Sequence, residues 1–148
     1  MAHDVERFVR AQEPVYEQVI RELRNGRKTS HWIWFVFPQV AGLGQSEMSR
    51  HYAIGSLVEA RTYLAHPVLG ARLHECARIL VDLPGRTVEG IFGPLDARKL
   101  RSSMTLFHRA APDDPLFGAV LDRYFDGVAD PATDSLLGLA PTPANRGA

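Results

Sequence analysis

The chain has 148 residues, 45% apolar and 23% charged, with a formal net charge of zero. That balance fits one globular domain and excludes a whole-chain field that would steer the protein to nucleic acid or an acidic membrane. The single cysteine, Cys76, excludes an internal disulfide and any multi-cysteine metal centre.

At the N-terminus, MAHDVERFVRAQ carries charges where an apolar targeting core would lie. No apolar run approaches the roughly 18–20 residues that span a bilayer, and a cytoplasmic protein without membrane contact is expected. Asp4 is placed to cap a short helix through VERFVRAQ, with Glu6 helping the dipole. Pro14 then fits a first helical position ahead of Val15, Val19, Ile20 and Leu23, and Gly26 is the expected stop. Residues 31–37 are apolar on every side. Ser30 and Pro38 bracket them, which predicts a short buried helix, with an extended buried segment as the alternative.

Ser56 and Glu59 form a capping pattern before LVEARTYLA. Pro67 opens the amphipathic stretch PVLGARLHECARILVD, whose apolar stripe is Leu69, Leu73, Cys76 and Leu80. Thr87 opens VEGIF, Pro94 opens LDARKLRSSMTLFHRA, Asp114-Pro115 opens LFGAVLDRYFDG, and Asp130-Pro131 opens a last helix. The fold class is therefore all-α: a single compact domain of seven or eight short helices over residues 4–139, with 140–148 a disordered tail.

Three constellations can carry chemistry. The first, HWIWFVFPQ, holds both tryptophans and four of the thirteen aromatic residues. It is core by composition, yet Gln39 and the following VAGLGQS offer a polar edge and a tight backbone able to hold an anion. The second is SRHY, residues 49–52. Arg50 suits a phosphate or carboxylate, His51 suits proton transfer, and Tyr52 adds a phenol. A solvated turn or helix surface explains the same residues.

The third is LDARKLRSSMTLF. On a helical wheel, Leu95, Leu100, Met104, Leu106 and Phe107 share an arc with Asp96, Lys99 and Ser103. Arg98, Arg101, Thr105, His108 and Arg109 fall opposite. A buried acid and amine must find partners; they form either a structural pair or the floor of a pocket with shifted titration. Fifteen of the seventeen basic residues are arginine, leaving only Lys28 and Lys99, so a lysine on the apolar arc is informative.

Other site types are set aside. His66, His74 and His108 have no metal-ligand spacing with one another or with Cys76, and no nucleophile-elbow, Walker A or dinucleotide-binding motif occurs. No metal and no cofactor are expected. Residues 21–28, with Arg21, Arg24, Arg27 and Lys28, form a basic cluster without an aromatic ladder beside it. Nucleic acid is therefore not an expected partner.

Together HWIWFVFPQVAGLGQSEMSRHYAI, EARTYLAHPVLGARL and IFGPLDARKLRSSMTLF resemble a small bacterial family of unknown function loosely labelled calpastatin-like, over residues 5–138. The resemblance implies a compact all-helical fold and no particular reaction. In order, HPVLGARL followed by Glu89 and Asp96 is also similar to the NADAR-type glycosidases, which act on ADP-ribose-linked nucleosides. The chain departs from that pattern in lacking a Trp-Gly after the matching aspartate and a glycine-rich Asn segment near the end.

The leading expectation is a pocket for a flat, anionic, nucleotide-like small molecule. Trp32, Trp34, Gln39, Arg50, Tyr52, Lys99 and Ser103 would bind it, Asp96 and His51 would handle a proton, and any reaction would be hydrolysis of a glycosidic or phosphate bond. The alternative is a non-catalytic helical interaction module or homodimer without a ligand.

Overall fold

Side chains that accept from the first free backbone N–H groups set most of the helix starts. A computed structural model describes residues 4–139, and among them nine helices follow in order: α1 Glu6–Gln12, α2 Tyr16–Arg24, α3 Ile33–Val36, α4 Glu47–His51, α5 Leu57–Ala65, α6 Pro67–Asp82, α7 Val88–Ala110, α8 Pro115–Phe125 and α9 Pro131–Leu136. That is one or two more than the sequence predicts. Ser46, Ser56, His66, Thr87, Asp114 and Asp130 cap α4 to α9 in turn. Each satisfies a donor the helix itself cannot. The expected tail at 140–148 lies outside the described residues.

Three predicted ends are corrected. Asp4 does not cap α1: Val5 occupies that position with its carbonyl accepting from Phe8 N–H, and Asp4 faces Arg10 at 3.7 Å on the surface. Pro14 lies in the turn between α1 and α2, which the Val15 N–H closes onto the Gln12 carbonyl. Ser30 does not cap α3; its hydroxyl donates to Glu22 at 2.7 Å. The aromatic segment is nonetheless helical over four residues and ends before Pro38.

Helix α7 runs through the middle, packed by α5, α8, α9 and α3, while α6 covers α5, α8, α2 and α1. Every residue from Ser102 to Phe107 on α7 is buried, Thr105 included. This overturns the two-sided wheel drawn from the sequence. A helix with neighbours on several sides has no solvent face, and its hydroxyls turn inward to local partners. Thr105 donates to the Arg101 carbonyl and accepts from Asp130 N–H. Two turns before Ser102 on the same helix, Leu95 is 68% exposed although it shares the predicted apolar arc.

Two glycines shape the frame. Gly93 has φ +79°, and with Pro94, which has no N–H, it breaks α7 into two helical pieces. The break leaves the Ile91 carbonyl free to accept from Lys28 N–H at 2.7 Å, so the loop after α2 is fastened there. At Gly70 a Cβ would stand 2.1 Å from the Leu64 carbonyl oxygen, so only glycine lets α6 fold back so closely on α5. Among the described residues the sole β-type contact is an isolated parallel bridge, Val40 with Ile54. It closes the base of the loop that carries α4. No helix among the described residues is long and apolar enough to cross a membrane.

Candidate functional site

The chain's only two lysines converge on Asp96. Lys28 reaches one carboxylate oxygen at 2.7 Å and Lys99 the other at 3.4 Å. The lysines differ in setting: Lys28 is 6% exposed and Lys99 27%. Each ammonium also lies over an indole, Lys28 over Trp32 at 5.1 Å and Lys99 over Trp34 at 5.4 Å. The sequence singles out Asp96 and Lys99 but assigns Lys28 to a surface basic cluster. Its backbone tie to the α7 break carries it inward instead.

Beside Lys99 an open cleft of about 460 Å³ lies between three parts of the chain. Gln39, Leu43 and Gly44 come from the end of the aromatic segment and the glycine loop. Leu95, Arg98, Lys99, Arg101 and Ser102 come from α7, and Asp130 and Ala132 from the start of α9. The α9 wall packs on the loop through Leu136, whose side chain lies 3.0 Å from where a Cβ on Gly42 would stand. The cleft-lining stripe of α7 is therefore 95, 98, 99 and 102, with Arg101 at its edge, rather than the predicted 96, 99 and 103.

Three cations and one acid line the cleft. Arg98 is exposed and has no carboxylate partner among the described residues. Arg101 spends Nε and Nη2 on the Val128 and Ala129 carbonyls. The single acid, Asp130, accepts from Thr133 N–H, the Thr133 hydroxyl and the Ser102 hydroxyl through one oxygen. It is committed to capping α9. Leu43 and Leu95 supply an apolar side and Gln39 an amide.

The remaining predicted residues lie elsewhere. Trp32 is 1% exposed, and its Nε1 donates to Glu22 at 2.9 Å, so it presents no face to a ligand. Glu22 also accepts from Thr29 and Ser30 N–H, the Ser30 hydroxyl and the Gln18 amide. Burial pushes this carboxyl up, but the bonds from Ser30, Gln18, Thr29 and Trp32 outweigh it and hold it at about 2. Arg50, His51 and Tyr52 do not line the cleft. Arg50 is exposed and bonds Gln45, while the His51 ring packs edge-on against Tyr52. Tyr52 in turn packs on Phe8 and Phe35, and Arg7 of α1 holds the His51 carbonyl.

Trp34 and Ser103 do not line the cleft either: Trp34 is half-buried under the Lys99 ammonium with its Nε1 enclosed, and Ser103 is fully buried, both without a hydrogen-bond partner among the described residues. Cys76 is buried on the predicted stripe, and burial pushes its thiol up to about 12, which leaves it unreactive. Among the described residues no cluster of His, Cys, Asp or Glu is arranged to hold a metal ion.

Sequence reasoning missed Lys28, Arg98 and Arg101 as members of this region. Lysine rarity was the available signal for the first. For the arginines there was none, since a solvated helix face and a cationic cleft wall look alike in a linear pattern.

A family model described as "Protein of unknown function (DUF1810)" matches residues 2–137. The chain is similar to a solved structure described as the conserved hypothetical protein Rv1873 from Mycobacterium tuberculosis, with a TM-score of 0.90. The two are 52% identical, over 93% of this chain and 98% of that one. No curated protein matches. Neither a calpastatin-like protein nor a glycosidase stands among these matches.

Proposed function

Because the chain belongs to the family described as a protein of unknown function, DUF1810, its role rests on its own side chains, and we propose that the cleft between α7, α9 and the glycine loop binds a nucleotide-like small-molecule anion. The observation that carries this reading is the set Arg98, Lys99 and Arg101 on one wall, with Arg98 unpaired among the described residues and the one lining acid capping a helix. Guanidinium groups favour phosphate and carboxylate oxygens in two-point geometry. Leu43 and Leu95 suit the flat or apolar remainder of such a ligand, and Gln39 can read a polar edge.

Binding is favoured over hydrolysis. Both Asp96 oxygens are occupied by ammonium groups, and His51 stands outside the cleft lining.

The test is a thermal-shift and calorimetric titration with adenosine monophosphate, adenosine diphosphate and ADP-ribose. Ligand at about a hundred times its Kd raises Tm by about 5–10 °C. Arg98→Ala should remove that shift while changing the free protein's stability by less than about 0.5 kcal/mol, as expected for an exposed, unpaired side chain. No shift with any of the three, or an unchanged shift in Arg98→Ala, would refute the reading.

The interaction-module alternative draws on the exposed Leu95, Val128 and Leu136. Dimerisation in sedimentation experiments without any ligand effect would favour it.

A further inference from the structure

Lys99 has three suitors and a firm hold on none. Its ammonium is 3.4 Å from Asp96, lies over Trp34 at 5.4 Å, and belongs to the cleft wall. Asp96 has a closer and better-buried partner in Lys28, at 2.7 Å. Withdrawing Lys99 therefore leaves the carboxylate paired, and the usual cost of breaking a buried ion pair is avoided. Trp34 Nε1, on the ring beneath the ammonium, is buried and lacks a partner among the described residues. Buried polar groups are rarely left so, and a ligand atom beside this ring would meet an unused donor.

We propose that Lys99 exchanges partners on binding: it leaves Asp96 for the anionic group in the cleft and uncovers the face of Trp34, on which an aromatic ring of the ligand stacks. The ligand class is then a ring-bearing phosphate, such as a mononucleotide, rather than a bare inorganic anion. Lys28 is a positioning residue. It touches no ligand, but it holds Asp96 so that Lys99 is free to move. This inference rests on the anion-binding reading of the cleft and adds to it the specificity and the moving part.

The experiment compares adenosine monophosphate with inorganic phosphate at fixed ionic strength, by calorimetry and by tryptophan fluorescence. Trp32 and Trp34 are the only two tryptophans, and Trp32 is sealed against Glu22, so a ligand-linked change reports on Trp34. The nucleotide is expected to bind about tenfold tighter than phosphate through ring stacking. Its fluorescence change should vanish in Trp34→Phe. Lys99→Met, at a partly exposed position, should weaken both ligands by about tenfold.

Lys28→Met should also weaken the nucleotide, although Lys28 lies outside the cleft lining, because Asp96 then retains Lys99. The double variant Lys28→Met/Asp96→Asn should restore affinity, since the amide no longer holds the ammonium. That rescue separates positioning from damage to the fold, which circular dichroism follows in parallel. Should Lys28→Met not fold, the Lys99 and Trp34 variants decide alone.

Equal affinity for the two ligands with a silent Trp34 would overturn the exchange while leaving the anion cleft standing. Full affinity in Lys99→Met, or no rescue in a folded double variant, would overturn it as well. If neither ligand binds the unaltered protein, the cleft reading itself falls, and the exchange with it.

Discussion

Trp32 and Trp34 stand two residues apart, and their surroundings are built on different principles. Around Trp32 a buried carboxylate, Glu22, is satisfied by neutral donors from four residues, Gln18, Thr29, Ser30 and Trp32, with no cation among them. Around Trp34 the carboxylate of Asp96 is satisfied by two ammonium groups at unequal distances, and the indole N–H has no partner among the described residues. An acid held by backbone and indole N–H groups fixes a loop, because those donors cannot leave without unfolding it. An acid held by lysines keeps mobile charge next to a cleft. The first arrangement serves stability, and the second is where binding is proposed.

The largest test of the contrast is removal of Glu22. Glu22→Ala leaves the buried Trp32 Nε1 and the part-buried Thr29 and Ser30 N–H groups without an acceptor, and should cost about 2–4 kcal/mol in urea denaturation. The sign of the pH dependence follows from the same geometry. The folded carboxyl sits at about 2 against an ordinary 4.5, so its stabilisation is present above pH 4.5 and is lost as pH falls toward 2. That gap corresponds to about 3 kcal/mol. Glu22→Gln should flatten this part of the stability profile. An unchanged acid limb would show that the Glu22 network does not carry the acid sensitivity.

Next in size is the inequality between the two lysines. Lys28→Met leaves Asp96 with one distant partner in a nearly closed setting and should cost about 1–3 kcal/mol. Lys99→Met removes the longer and more exposed half of the same arrangement and should cost less than about 1 kcal/mol. Equal losses would mean that the carboxylate belongs to both lysines alike and that Lys99 is no freer than Lys28.

Legibility in the sequence follows the range of the interaction. Caps act within three residues, so Ser56, Thr87, Asp114 and Asp130 read correctly from local pattern, as did Pro67 and the Gly26 stop. Asp4 failed because the burial of Val5 shifted the helix start by one residue, a tertiary effect. His66 as a cap was missed, because an imidazole nitrogen accepting from Val68 and Leu69 is uncommon in that role.

The site divides along the same line. Asp96 and Lys99 are one turn apart and were visible together. Lys28 is 68 residues from Asp96, and only a carbonyl freed by the Gly93–Pro94 break brings it there. The wheel for α7 misassigned Thr105 and Leu95 because a wheel assumes one buried face, whereas this helix is enclosed from Ser102 to Phe107 and open just after the Gly93–Pro94 break. Glu22 shows the same limit. Nothing in its helix marks it as buried, and the loop that wraps it lies beyond the helical period.

The smallest expected effect separates the tryptophans themselves. Trp32→Phe removes a donor from Glu22 and part of a ring that is 1% exposed, and should cost about 1–3 kcal/mol. Trp34→Phe removes an N–H that is bonded to water when unfolded and to nothing among the described residues when folded. The relief of that unsatisfied donor opposes the loss of ring area and of the Lys99 contact. The two effects are similar in size, so the net change should fall within about 1 kcal/mol of zero. Chemical denaturation of the two variants side by side measures the difference directly. A loss above about 2 kcal/mol for Trp34→Phe would mean that its N–H has a partner such as a buried water, and the corner beside Lys99 would then be as complete as the one around Trp32.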